Sequence, residues 1–334
     1  MKQREGLYHR IFEYENLCLA FWKAANGKQD CREVIRFRMD LDDCLLDLQK
    51  QLQQGCFNIG HYRFFRVYDP KPRNICAAAF PERVLHHAVM NICEPFLDRY
   101  LIFDSYACRV GKGNRKAVER ARFFSERYSW YLKLDIRKYF DSIDHGILME
   151  LLKNQFKDRD LITLFEQILS TYHTRPGFGM PIGNLISQHF ANFYLGLFDH
   201  WVKETKKIKG YVRYMDDMLF FGNSQSLLKK TLASIQDFLE TRLALILKPN
   251  IQLNRTKIGI PFLGYRVFPW GVKLTAVSCE RFVEKFRRYE QNRLSDIWTE
   301  DDLIRHMEPL IDFTRGADSL GFRRGIINRF GVLS

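Results

Sequence analysis

The feature that most constrains this chain is a pair of aspartates inside a strand. The segment Tyr211-Val212-Arg213-Tyr214-Met215-Asp216-Asp217-Met218-Leu219-Phe220-Phe221 is otherwise mostly apolar and strand-forming. Ionised carboxylates in such surroundings must be paired, solvated or bound to cations. Two short strands, 211–215 and 218–221, would put both acids at a hairpin tip, at the end of a sheet where a cation can reach them. An isolated Asp-Asp is more often a solvent-exposed acidic turn, so the choice between the two readings rests on what else the chain carries.

A second strand-end acid lies upstream. Asp135 follows the strand pattern Trp130-Tyr131-Leu132-Lys133-Leu134 and precedes Ile136-Arg137-Lys138-Tyr139-Phe140-Asp141-Ser142-Ile143-Asp144. Carboxylates from neighbouring strands can hold two Mg²⁺ ions about 4 Å apart, the arrangement that in-line phosphoryl displacement requires. Substrate phosphates and water would complete the coordination, so three acids suffice. Asp144 reads instead as the N-cap of the next helix.

The rest of the pattern is α+β. Residues 8–54 read as two amphipathic helices, with Leu17, Phe21, Leu41, Leu45 and Leu48 near three-to-four spacing. A basic hairpin follows, Phe64-Phe65-Arg66-Val67-Tyr68 and Ile75-Cys76-Ala77 around the turn formers Asp69-Pro70-Lys71-Pro72-Arg73-Asn74. Helices are predicted over 81–100, 114–127, 144–156 and 159–172. A glycine-punctuated loop over 176–183 leads into an apolar helix over 184–202. A second hairpin, 262–268 and 272–274, turns at Pro269-Trp270-Gly271, and basic helices run on from it. Unequal helical stretches between strands, with hairpins among them, suit small antiparallel sheets covered by helices.

Composition narrows the partners. Lys and Arg outnumber Asp and Glu by 52 to 39, a formal net charge of +13, the footprint expected of a protein that meets phosphate backbones or anionic surfaces. No run approaches the roughly 18 apolar residues of a membrane span, and the polar N-terminus does not resemble a secretory signal. Eight cysteines are scattered singly, without the spacing of a zinc site or a disulfide framework. A reducing, cytoplasmic setting is the expectation.

Tyr214-Met215-Asp216-Asp217, preceded in order by the strand-end Asp135 and the glycine turn with its helix, resembles a reverse transcriptase from about Tyr14 to Leu274. The resemblance implies a right-hand polymerase: an N-terminal helical extension over 1–60, fingers over 61–130, a palm over 131–274 with a fingers-like helical insertion at about 144–180, and a short helical thumb over 275–334. It implies Asp135 and Asp216 as principal ligands of two Mg²⁺ ions, for which Mn²⁺ can substitute. Asp217 would be a supporting carboxylate and the Ile136 backbone carbonyl a further ligand. Lys71 and Arg73 match the basic pair that grips the incoming deoxynucleoside triphosphate. Phe140 falls at the ring that excludes a 2′-hydroxyl, and Phe262, Leu263, Gly264 and Tyr265 fall at the hairpin that grips a DNA or RNA primer. Taken alone, the same residues read as a solvated basic turn and as aromatic core.

One branch fits more closely. Gly179-Met180-Pro181-Ile182-Gly183-Asn184-Leu185-Ile186-Ser187-Gln188 is similar to the motif of diversity-generating retroelement reverse transcriptases, bacterial or phage-encoded, in which Ile182, Gly183 and Gln188 would face the nucleotide. Most reverse transcriptases carry Gln where Ile182 stands. An aliphatic residue there removes a polar contact, and in that branch it accompanies misincorporation opposite template adenines. The resemblance implies a template RNA and a small basic helical accessory protein as partners. It also implies that endonuclease, maturase or RNase H activity would have to come from elsewhere, since about sixty residues follow Leu274. Two alternatives stay open: a group II intron-like or other bacterial reverse transcriptase of ordinary fidelity, with which Tyr106-Ala107-Cys108-Arg109-Val110-Gly111 is compatible, and a non-catalytic RNA-binding scaffold on the same fold.

Overall fold

A computed structural model describes residues 6–68 and 72–331. The N-terminal region, expected as two helices, is four: α1 (Leu7–Ile11), α2 (Tyr14–Ala25), α3 (Arg32–Met39) and α4 (Leu41–Gln54). The three breaks fall at Phe12-Glu13, at the turn holding Gly27, whose φ of +69° suits glycine, and at Asp40, which leaves helical geometry between α3 and α4. The basic hairpin follows as β1 (Tyr62–Val67) and β2 (Arg73–Ala78), antiparallel with Phe65 opposite Ile75. Then come α5 (Phe80–Tyr100), with Pro81 in its first turn, α6 (Asn114–Arg127) and β3 (Trp130–Asp135).

Helices α7 (Tyr139–Ser142), α8 (His145–Gln155) and α9 (Arg159–Ser170) come next. The Asp144 carboxylate caps α8 by accepting from Ile147 N–H, as its position predicted. The long helix expected over 184–202 is broken into α10 (Leu185–Tyr194), α11 (Gly196–His200) and a π-turn, Trp201–Thr205. Gly196 lies so close to the Tyr100 ring that a Cβ there would sit 2.6 Å from Cε1. The remaining elements are β4 (Tyr211–Tyr214), β5 (Asp217–Gly222), α12 (Gln225–Leu243), β6 (Gln252–Arg255), β7 (Ile260–Phe262), β8 (Tyr265–Phe268), β9 (Gly271–Leu274), α13 (Ala276–Leu294), α14 (Glu300–Arg315) and α15 (Leu320–Phe330). The strand expected over 262–268 is therefore two, divided at Leu263-Gly264. No helix among the described residues is long and apolar enough to cross a membrane.

The chain forms two compact units. The first comprises residues up to Phe103, Ile136–Lys206 and Ile235–Leu247. Its centre is α5, packed by α2 and α10. Phe21, Phe37 and Phe80 meet there with ring centres 5.1 to 6.0 Å apart, each burial contributing on the order of 1.5–3 kcal/mol. The buried Asn16 amide is satisfied by the carbonyls of Ile11 and Ala88.

The second unit comprises Asp104–Asp135, Lys207–Ser234 and the chain from Lys248 onward. It holds an antiparallel sheet in the order β4-β5-β3-β6 and a three-stranded one, β7-β8-β9. Ala117, Val118, Ala121 and Phe124 form one stripe of α6 and pack on Tyr131, Leu219 and Phe221 of the first sheet and on Ile260 and Val267 of the second. This is the expected α+β class, small antiparallel sheets with helices on them.

Candidate active site

Strand register brings the acids together. In the β3–β5 ladder Asp135 stands directly opposite Asp217, and in the β4–β5 hairpin Asp217 pairs with Tyr214, so Met215 and Asp216 form the two-residue turn. Met215 takes a φ of +54°, a conformation that costs a non-glycine residue about 1–3 kcal/mol and persists only when its surroundings impose it. Arg213 helps impose it. Its side chain is wholly buried and donates from Nη1 to the Met215 carbonyl at 3.1 Å. Its own backbone bonds to Asp104 and Tyr106, at 3.0 Å each.

Each strand acid has one oxygen engaged and one open. Lys133 donates to Asp217 Oδ2 at 3.0 Å, and Lys248 to Asp135 Oδ2 at 2.7 Å. Oδ1 of Asp135 and Oδ1 of Asp217 are buried without a hydrogen-bond partner. A buried orphan acceptor carries a desolvation cost of about 1–3 kcal/mol, so two on facing carboxylates suit a site that a cation completes. Burial and the neighbouring Asp135 raise the Asp216 carboxyl to about 6. Burial raises Asp217 to about 6 as well, against the pull of the Lys133 ammonium. Among the described residues no cluster of three His, Cys, Asp or Glu side chains is already arranged around a metal position. The donors fit a hard cation that takes its remaining oxygens from phosphate and water. Ile136, next along the chain, is buried and bridges to Leu247.

The predicted nucleotide residues belong to the first unit, where the glycine loop lies along β2. Cys76 N–H donates to the Ile182 carbonyl at 2.8 Å, and Ala78 N–H to the Asn184 side-chain oxygen at 3.2 Å. Gly183 has a φ of +118°, and a Cβ there would come within 2.7 Å of Ile75 Cγ2. The loop thus continues the β1–β2 ribbon that carries Arg73. Phe140 joins the same loop through its carbonyl, which accepts from Met180 N–H at 2.8 Å. Gln188 is exposed in the first turn of α10. Lys71 lies outside the described residues.

In the second unit, Phe262 and Tyr265 point into the core. Leu263 and Gly264 make the β7–β8 turn with φ of +51° and +86°. The Gly264 carbonyl accepts from Ser278 Oγ at 2.6 Å, which ties the turn to the start of α13.

Lys133, Lys248, Arg213 and Asn184 were not singled out from the sequence. For Lys133 a signal existed: strand alternation puts residue 133 on the face of Asp135. Nothing in the local sequence marks Lys248, 113 residues from its partner.

The chain is similar to protein YkfC of Escherichia coli K12, 23% identical over 265 residues, which are 62% of this chain and 68% of that protein. It is also similar to the group II intron-encoded protein LtrA of Lactococcus lactis subsp. cremoris, 26% identical over 143 residues, 41% of this chain and 24% of that protein. Other intron proteins are matched over about an eighth to a third of their own length. Among solved structures, apo telomerase from Candida tropicalis superposes with a TM-score of 0.53 at 11% identity, covering 80% of this chain and 58% of that one, a likeness of fold. The family profile described as reverse transcriptase (RNA-dependent DNA polymerase) matches residues 69–267, more than half of the chain, which therefore belongs to the reverse transcriptase family.

Proposed function

We propose that the protein is an RNA-directed DNA polymerase that extends a DNA or RNA primer on an RNA template with deoxynucleoside triphosphates. The observation that carries this reading is the register of Asp135 against Asp217, each with an open, buried oxygen, and Asp216 in the adjoining turn. Asp135 and Asp216 would hold the cations, with the Ile136 carbonyl and Asp217 in support. Two Mg²⁺ or Mn²⁺ ions bound there would lower the pKa of the primer 3′-hydroxyl and neutralise charge on the leaving pyrophosphate. Lys71 and Arg73 would grip the triphosphate, Phe140 would exclude a 2′-hydroxyl, and Ile182, Gly183 and Gln188 would line the nucleotide's place. Residues 262–265 would meet the primer end. Fingers, palm and thumb would follow the boundaries at residues 61, 131 and 275.

Within the family we assign the chain to diversity-generating retroelements, making adenine-mutagenic cDNA from a template RNA with a small basic accessory protein in a bacterial cytoplasm. Ile182 supports this branch. Its side chain offers no hydrogen bond, and the backbone bond from Cys76 to its carbonyl ties that position to the β1–β2 ribbon. The intron-encoded relatives favour a second reading, a group II intron-like enzyme of ordinary fidelity. Mg²⁺-dependent cDNA synthesis with every product sequenced separates the two. Errors concentrated at template adenines support the retroelement branch; even, low error rates support the intron-like one. Asp216→Ala should abolish extension while RNA binding persists, and equal inactivity of wild type and variant with RNA and accessory protein supplied would point to a scaffold.

A further inference from the structure

Lys133 has two acceptors. Its ammonium donates to Asp217 Oδ2 at 3.0 Å and also to the Pro261 carbonyl at 2.8 Å, with the Phe262 ring centre 5.8 Å away. The Lys133 side chain is 18% exposed, so most of its hydration is lost and these acceptors replace it. Pro261 lies in β7, immediately before Phe262 and the Leu263-Gly264 turn. That turn places a leucine at positive φ, so its conformation is imposed by what holds it. On one side the hold is Ser278 and Thr275, which donate to the Gly264 carbonyl. On the other it is Lys133.

The Asp217 carboxylate is thus divided: Oδ2 is committed to Lys133, while Oδ1 is buried and open. A cation on Oδ1 would fix the carboxylate, the carboxylate fixes the ammonium, and the ammonium fixes the Pro261 carbonyl. We infer that Lys133 is a positioning residue that couples cation binding at Asp217 to the placement of the β7–β8 hairpin. The description of that hairpin as primer-contacting rests on the polymerase reading above; the coupling itself does not.

The test is amide hydrogen exchange on the full chain, without nucleic acid, at increasing Mg²⁺ or Mn²⁺. In wild type the metal should slow exchange across 260–268. In Lys133→Met the same amides should exchange about tenfold faster without metal, the scale of one lost charged hydrogen bond, and should gain no protection when metal is added. Helix α5, in the first unit, should be unaffected in both. Lys133→Arg, which keeps a charged donor, should restore metal-dependent protection. If Lys133→Met does not fold, Asp217→Asn serves instead, with loss of the metal response expected. Equal metal protection of the hairpin in wild type and variant, or none in wild type, would overturn the inference. A wild type that protects its hairpin yet extends no primer would refute only the polymerase reading.

Discussion

Lys248 closes on Asp135 twice: its ammonium donates to Oδ2 at 2.7 Å and its backbone N–H to the Asp135 carbonyl at 2.8 Å. The backbone bond fixes the chain after α12 beside the end of β3, and the side-chain bond supplies a positive charge where a cation would otherwise sit. The two side chains are 40% and 34% exposed, so the ion pair contributes only about 0.2–1 kcal/mol. Lys248→Met should therefore change the melting temperature in chelator by little. Mn²⁺ affinity should rise several-fold, because the ion no longer competes with the ammonium for Asp135. Calorimetric titration of both forms measures this, and unchanged affinity would show that the ammonium yields its place without cost.

The raised carboxyl of Asp216 makes a pH prediction with a definite sign. Its pKa is near 3.8 in the unfolded chain and about 6 in the fold, through burial and the charge of Asp135. Between those values the folded state binds more protons than the unfolded one, so this group's contribution to stability falls as pH rises from about 4 to about 6. Asp216→Asn does not titrate and sets no charge beside Asp135. In chelator, its melting temperature relative to wild type should therefore climb across that window and stay higher above it. Paired thermal melts at pH 4, 5, 6 and 7.5 check this; a constant difference would mean that Asp216 titrates normally.

Gly183 is constrained by its φ of +118° and by its approach to Ile75. Gly183→Ala should cost about 1–3 kcal/mol from backbone strain and overpacking together. Ile75→Ala removes the Cγ2 atom in the way, so the double variant should recover the packing part and retain the strain. A double-mutant cycle in urea reads the two contributions, and strict additivity would contradict the contact.

The elements visible in the sequence were those whose signals are local. Helix α6 spans the expected 114–127, β3 ends at the acid predicted to end it, and Asp144 caps α8. Signals that depend on distant residues were not legible. The break at Leu195-Gly196 depends on the Tyr100 ring, nearly a hundred residues earlier, and an apolar run through that point looks like one helix. Leu263 has no turn preference, so 262–268 read as one strand. Helix α12 and strand β6 were not read at all. At the site Asp216 and Asp217 were legible because adjacent carboxylates in an apolar strand are costly, and Asp135 because it ends a strand pattern. Their lysine partners were not, since any of many basic residues could have served.

Ile182 offers the most direct test of the proposed branch. Its carbonyl is held by Cys76 N–H at 2.8 Å whatever side chain it carries, so Ile182→Gln should leave the loop in place and change only what the loop presents. A glutamine amide there can hydrogen-bond to a nucleotide, which an isopentane-like branch cannot. One such bond contributes about 1 kcal/mol, enough for roughly fivefold better discrimination. On the retroelement reading, the gain should appear mainly as fewer errors opposite template adenine, with errors at the other three bases little changed. Sequenced cDNA from both forms on one template measures it. A uniform change across all four bases would separate Ile182 from adenine recognition and favour the intron-like reading.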